Sequence, residues 1–110
     1  MKVKIEKVNV VSVIRLAGNI DAKTASKVKD QVLPLAQPES KILLDLSKVF
    51  YLSSAALRVL LLLYRQVTAN KGKLVLIGLS VEIKDIMFVS GFLDFFTIYD
   101  TLELGLEALT

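Results

Sequence analysis

Two short, uninterrupted apolar runs constrain the fold of this chain more than any other feature. They are Ile42–Leu44, inside a candidate strand at Lys41–Leu46, and Leu74–Ile77, inside a candidate strand at Lys73–Ile77. A strand that is covered on both faces has such a continuous apolar sequence, and parallel strands inside a sheet are covered in this way. The sequence therefore predicts two central parallel strands, which need a long crossover connection between them.

A helical pattern fills that connection, and the rest of the chain continues the alternation of strands and helices. The predicted elements are, in chain order, strands at Lys2–Lys7 and Val8–Gly18 with a turn near Lys7–Asn9, a helix from Ala22 to about Ala36, the strand Lys41–Leu46, a helix from Ser54 to about Asn70, the strand Lys73–Ile77, a helix from the Ser80 cap to about Val89, the strand Thr97–Tyr99, and a helix at Thr101–Ala108. The order β-β-α-β-α-β-α-β-α predicts a single α/β domain over residues 1–110. Its sheet is mostly parallel, with an N-terminal antiparallel hairpin strand and about four helices.

Turn and capping residues set the predicted helix boundaries. Asp21 is a good N-cap for the first helix, and Pro34 ends or kinks that helix near its last turn. Gly72 is expected to supply the stop after the long helix. Asp100, followed three residues later by Glu103, resembles a capping box for the last helix.

The residue types that are absent exclude several classes of site. The chain has no Cys and no His, so it holds no disulfide, no thiolate or imidazole metal site and no Ser-His-Asp triad. Its Asp and Glu residues are scattered singly, so we expect no catalytic residues and no metal site. It has no glycine-rich phosphate loop, so we expect no cofactor.

Charge and hydropathy predict a cytoplasmic protein that acts without direct contact to nucleic acid or membrane. Fourteen Lys and Arg against eleven Asp and Glu give a net charge of only +3, and nucleic-acid binding would need the basic residues gathered on one face. The longest apolar run, Val59–Tyr64, is far shorter than the ~20 residues that span a bilayer. The N-terminus lacks the apolar stretch of a signal peptide.

Two adjacent serines, Ser53 and Ser54, lie between the first central strand and the longest helix. One interpretation is that they compete to cap the helix, a frequent role for serine at this position. The other is that a serine here is a phosphorylation switch, because a helix N-terminus offers free N–H groups and partial positive charge to a phosphate. The residues alone leave both interpretations open.

The exposed face of this helix has an apolar margin. At 100° per residue, the side chains of Ser54, Leu61, Leu62 and Arg65 fall within about 60° of the direction of Arg58. The other side repeats apolar residues at spacings of three and four and supplies the predicted core face of Leu57, Leu60, Tyr64 and Val67. Leu61 and Leu62 therefore belong either to a docking surface or to the margins of the buried stripe.

Three stretches of the chain, in a fixed order, show a family resemblance. They are Leu16–Ala25 (LAGNIDAKTA), Ile42–Leu60 (ILLDLSKVFYLSSAALRVL), and Gly72–Leu76 (GKLVL) together with Ser90–Phe96 (SGFLDFF). They resemble the conserved segments of STAS domains, specifically those of the bacterial anti-sigma factor antagonists. The second stretch is similar to the strand, loop and helix around the phosphorylated serine of that family. The resemblance covers nearly the whole chain and implies the STAS fold.

The resemblance also implies a switch. The family motif D-S-S-G-L, or S-S-A-G-L in many members, aligned on Leu57, places the phosphorylated serine at Ser54. Ser53 then stands at the aspartate position and Ala56 at the glycine position, two departures that leave the acceptor hydroxyl in place. The implied protein is not an enzyme. Unphosphorylated, it binds an anti-sigma factor serine kinase, and a PP2C-type phosphatase resets it. We expect partner binding to use Asp21, Thr24, Ser53, Ser54, Ala56, Arg58, Leu61 and Leu62.

Two alternative functions remain at this stage. A non-phosphorylated STAS adaptor in a signalling or lipid-transport assembly would bind its partners without phosphate turnover on Ser54. A small nucleotide-binding domain of similar α/β layout is the other alternative, and the missing glycine-rich loop argues against it.

Overall fold

A five-stranded sheet forms the centre of the protein, and the computed structural model describes all 110 residues, Met1–Thr110. The strands are β1 (Lys2–Val8), β2 (Val11–Ala17), β3 (Lys41–Lys48), β4 (Lys73–Ile77) and β5 (Thr97–Tyr99). The helices are α1 (Ala22–Val32), α2 (Ser54–Ala69), α3 (Val81–Val89) and α4 (Leu102–Leu109), with 3-10 turns at Leu33–Leu35 and Leu93–Phe95. The predicted order of elements and the predicted fold class are confirmed. None of the four helices is both long and apolar enough to span a membrane.

The strands lie in chain order across the sheet, and this order places three helices on one face. β1 pairs antiparallel with β2, and all other neighbours are parallel. Each crossover between parallel strands therefore leads to the next strand on the same side of the preceding one. Because such crossovers are right-handed, α1, α2 and α3 lie on the same face of the sheet. α4 follows the last strand and packs on the opposite face, against β3, β4 and β5.

Alternation along the strands supplies a hydrophobic core to each face. Ile42 and Leu44 of β3 belong to the larger cluster, which packs against α1, α2 and α3. Leu43, between them, belongs to the smaller cluster with Leu109 of α4. All four side chains are at most 1% exposed. Burial on both faces explains why the central strands have uninterrupted apolar sequences.

The N-terminal hairpin turns slightly later than predicted. Val8 still belongs to β1 and pairs with Val11, so the turn consists of Asn9 and Val10. Asn9 has a φ of 55°, a left-handed conformation that asparagine adopts more readily than most residues. β1 is an edge strand with little cover, and Ile5 remains 43% exposed.

The long helix α2 ends in a Schellman motif centred on Lys71, not on Gly72. The Gly72 N–H donates to the Val67 carbonyl at 2.8 Å, and the Lys71 N–H donates to the Thr68 carbonyl at 3.0 Å. Lys71 is the left-handed residue, with a φ of 59°. Gly72 is required for another reason, because a Cβ built on it would lie 2.6 Å from the carbonyl oxygen of Ser40. The predicted stop is therefore in the right place, but its left-handed residue is Lys71.

Two other predicted boundaries shift for local reasons. α1 ends before Pro34, which lies in the following 3-10 turn, because proline lacks the N–H that a continuing helix would need. Thr101, not Asp100, is the N-cap of α4, and its Oγ1 accepts the Leu104 N–H at 3.2 Å. The predicted capping box of Asp100 and Glu103 is therefore wrong.

We expect Gly72→Ala to destabilise the protein and Lys71→Gly to stabilise it. A methyl group at position 72 meets backbone, which yields less than a side chain, so the free energy of unfolding should fall by about 1–3 kcal/mol. Lys71→Gly relieves a left-handed residue and should gain up to about 1 kcal/mol. Urea unfolding followed by circular dichroism measures both changes. A destabilised Lys71→Gly variant would contradict the position of the left-handed residue.

Candidate partner-binding and phosphorylation site

Three helices begin at one edge of the sheet. β2, β3 and β4 are parallel, so their carboxyl ends meet at this edge, and α1, α2 and α3 start from the loops that follow them. Each helix has a side-chain N-cap, which is Asp21, Ser53 or Ser80. In open α/β sheets this edge is where ligands bind.

Backbone hydrogen bonds join the first two of these loops. The Ile20 N–H donates to the Tyr51 carbonyl at 3.1 Å, and the Ser53 N–H donates to the Ile20 carbonyl at 2.9 Å. Ile20 and Leu52 form a parallel bridge between the loops, and both side chains are buried. The N-termini of α1 and α2 are therefore held side by side, which brings Asp21 next to Ser53.

The two serines at the start of α2 have different surroundings. Ser53 is the N-cap, and its Oγ accepts the Ala56 N–H at 3.1 Å. Ser54 is the first helical residue, is exposed, and has a hydroxyl with no hydrogen-bond partner within the protein. The serines therefore do not compete for the cap. The Ser54 hydroxyl is accessible at the positive end of the helix dipole.

Asp21 and Thr24 form a closed capping box at the start of α1. Oδ1 of Asp21 accepts the Thr24 N–H at 2.9 Å, and the Asp21 N–H donates to Oγ1 of Thr24 at 2.9 Å. The hydrogen bond from the Thr24 N–H, followed by that from its hydroxyl, lowers the pKa of Asp21 below its ordinary value. Asp21 is therefore an exposed, ionised carboxylate in a fixed position beside the start of α2.

Arg58 and Leu62 line a groove between α1 and α2. The groove has a volume of about 260 Å³, and Ala22 and Lys29 of α1 form part of its other wall. Arg58 is exposed and lies one turn beyond Ser54 on the same face of α2. Leu62 is half-buried, so part of its side chain is accessible from the groove.

Two of the residues expected to bind a partner lie apart from this groove. Leu61 is half-buried and about 100° around α2 from Leu62. It does not line the groove, and helical geometry places it about 20° from the direction of Ser54, two turns further along α2. Ala56 is 2% exposed and belongs to the larger core cluster, so its side chain is not part of the surface.

Two exposed aromatic residues at this edge were not predicted. Phe50 and Tyr51, in the loop before α2, are 68% and 48% exposed. Large apolar side chains with this exposure are typical of interaction surfaces. The sequence did contain a signal for them. The two aromatic residues lie between a buried strand and a capped helix, where neither strand alternation nor a helical apolar stripe predicts burial.

Exposed basic side chains outnumber acidic ones on α1 and α2. The acidic ones are Asp30 and the N-cap Asp21. Both ion pairs of the protein, Arg15–Glu6 and Lys84–Asp100, lie outside these two helices. The basic side chains of α1 and α2 are therefore not held in salt bridges and favour an acidic partner surface. These side chains are Lys23, Lys27, Lys29, Arg58 and Arg65.

The arrangement suits docking and modification. No three acidic side chains converge as metal ligands. The edge instead presents an accessible hydroxyl at a helix N-terminus, with apolar and basic side chains around it. A protein surface with apolar anchors and a charged rim is typical of a docking site, and a free hydroxyl at a helix N-terminus can accept a phosphate.

Comparison with known proteins identifies the family. The family model for the STAS domain matches residues 2–105. The chain belongs to the STAS domain family. The resemblance noted in the sequence is therefore confirmed, and it extends over nearly the whole chain.

Relatives and solved structures cover most of this STAS domain. BtrV of Bordetella bronchiseptica, described as a candidate anti-sigma factor antagonist, is 29% identical over 98% of this chain and 94% of its own. The anti-sigma-B factor antagonist of Listeria monocytogenes is 34% identical over 74% of this chain and 72% of its own. An anti-sigma factor antagonist from Mycobacterium paratuberculosis has a TM-score of 0.87 at 24% identity, covering 98% of this chain and 92% of its own. The phosphorylated form of the Bacillus cell fate determinant SpoIIAA has a TM-score of 0.76 at 18% identity, covering 99% of this chain and 100% of its own.

We expect Ser53→Ala to destabilise the domain and Ser54→Ala to leave its stability nearly unchanged. Loss of the cap should lower the free energy of unfolding by about 0.5–2 kcal/mol. Removal of the unbonded Ser54 hydroxyl should change it by less than about 0.5 kcal/mol. Each variant is the control for the other in chemical denaturation. The reverse order of stabilities would mean that Ser54 is the cap.

Proposed function

We propose that this STAS domain is an anti-sigma factor antagonist whose binding to an anti-sigma factor is controlled by phosphorylation of Ser54. The main support is that the cap and the proposed acceptor are separate residues. Ser53 holds the start of α2, while the exposed Ser54 hydroxyl has no partner. The relatives named as anti-sigma factor antagonists support the class of partner.

A phosphate on Ser54 would be compatible with the fold. The N–H groups in the first turn of a helix lack helical acceptors, and the helix dipole favours negative charge there. Arg58, one turn later, is exposed and forms no ion pair, and helical side chains lean toward the N-terminus. In the proposed switch its guanidinium pairs with the phosphate. The Ser53 cap need not be broken.

The same phosphate would oppose partner binding. It adds roughly 1.5–2 negative charges at neutral pH to a surface whose basic side chains favour an acidic partner. In the proposed switch, Phe50, Tyr51 and Leu62 provide the apolar contacts, while Asp21, Thr24 and Arg58 lie at the rim, with Leu61 two turns along α2 from Ser54. The partner is an anti-sigma factor serine kinase, which phosphorylates Ser54, and a PP2C-type phosphatase restores the binding form. The chain itself is then ligand and substrate, with no catalytic role.

We expect phosphorylation at Ser54 alone. Incubation with candidate serine kinases from the same genome, read by intact mass, should add one phosphate to the wild type and to Ser53→Ala, and none to Ser54→Ala. Ser53→Ala is the matched control because it removes the neighbouring hydroxyl and keeps the acceptor. Phosphate mapped to Ser53 would contradict the assignment. Tight binding of the anti-sigma factor without any phosphate turnover would favour the adaptor function.

We expect Arg58→Glu to weaken binding of the unphosphorylated domain to its anti-sigma factor by about tenfold, because it places like charge opposite an acidic surface. Lys73→Glu is the charge-matched control, since Lys73 is exposed at the start of β4, at the other edge of the sheet. Calorimetric titration measures both dissociation constants. Equal losses in the two variants would indicate an effect of net charge and not of the proposed surface.

A further inference from the structure

The face of the sheet opposite α1, α2 and α3 is only partly covered. α4 packs on β3, β4 and β5, and Val13 of β2 still belongs to the cluster around Leu109. Two residues later the same face of β2 becomes polar at Arg15. β1 presents Lys2, Lys4 and Glu6 on this face, since successive side chains of a strand alternate between faces.

A cavity of about 260 Å³ lies on this polar half of the face. Lys4 of β1 pairs with Arg15 of β2, and Arg15 pairs with Asp45 of β3, so strand register brings the three side chains into one row. No helical residue lines the cavity, and its remaining polar side chains are Lys2, Ser47 and Lys48. Hydrogen-bonded strands therefore fix the spacing of the charged groups.

The charged groups at this cavity are mostly basic. Its lining holds four cationic side chains and one carboxylate, that of Asp45. Glu6, on the same face of β1, pairs with Arg15, so the local surplus is two positive charges. Cations thus outnumber carboxylates four to two here, against fourteen to eleven in the whole chain.

Arg15, at the centre of the cluster, is incompletely paired. Its Nη2 lies 3.1 Å from Oε1 of Glu6, but its Nε is buried and has no hydrogen-bond partner. Asp45, its register neighbour, forms no ion pair with it and accepts the Ser47 N–H at 2.9 Å. Arginine presents a planar fork of donors that matches phosphate oxygens, and lysines add mobile point charges.

We propose that this cavity binds a small phosphorylated molecule through a diphosphate-type group, held by Arg15, Lys4 and the neighbouring lysines. The volume lies just below the usual range for small-molecule sites, roughly 300–1,000 Å³, which suits a compact anion. The cavity is on the opposite face of the sheet from α2 and Ser54. The proposal is therefore independent of the function proposed above.

Sodium pyrophosphate is the probe, titrated at low ionic strength into the ¹⁵N-labelled full-length protein. We expect saturable binding with amide shifts concentrated in β1, the second half of β2 and the end of β3. Lys4→Ala and Arg15→Lys should each weaken binding by about tenfold, because each removes a charge-assisted contact. Arg15→Lys keeps the charge and removes the fork. Circular dichroism checks that the variants fold.

Lys73→Ala is the matched control, since it removes one positive charge from an exposed position at the start of β4, outside the cavity. It should change the dissociation constant less than twofold. Three results would overturn the proposal: no saturable binding, equal loss of affinity in Lys73→Ala and Lys4→Ala, or amide shifts confined to the starts of α1 and α2. The last result would place the anion site at the helix N-termini.

Discussion

The candidate binding surface depends on the backbone of Ile20, whose N–H and carbonyl are both hydrogen-bonded to the loop before α2. Its N–H and carbonyl bond to Tyr51 and Ser53 at 3.1 and 2.9 Å, and so extend the pairing of β2 with β3 beyond the register shift at the end of β2. Because the two strands are parallel, this extension carries the starts of both following helices to the same edge. The buried side chain of Ile20 anchors it in the core. Two helix caps that are distant in sequence thereby become neighbours.

Within this frame, the first turn of α2 divides its tasks between adjacent residues. The Ser53 hydroxyl satisfies the Ala56 N–H, and the Ala56 side chain is buried beneath it. The structural requirements of the helix start are thus met without Ser54. A residue that stabilises nothing in the folded state can be modified at little cost to the fold, and for this reason the free hydroxyl supports a switch better than the cap would.

The elements of the fold are predictable because the patterns that report them are local. Burial on both faces produces the apolar run Leu74–Ile77, and a capping side chain marks the start of α1 at Asp21. The sequence-based predictions fail where the role of a residue depends on a contact distant in sequence, or on which of two adjacent residues begins a helix. Gly72 is set by its approach to Ser40, and a cavity at Arg15 exists only once three strands are in register. The separate roles of Ser53 and Ser54 depend on a helix boundary defined to one residue, finer than sequence patterns resolve.

Charge connects the proposed switch to the whole molecule. The excess of basic residues lies before residue 80, and exposed basic side chains outnumber acidic ones on α1 and α2. In the proposed switch, an acidic partner is attracted to these helices before any contact forms. A phosphate on Ser54 enters this basic surface, where the helix dipole and Arg58 favour it. Each interaction that stabilises the phosphate uses positive charge that would otherwise attract the partner. Stability of the modified form and release of the partner then have one electrostatic cause, and no change of fold is required for either.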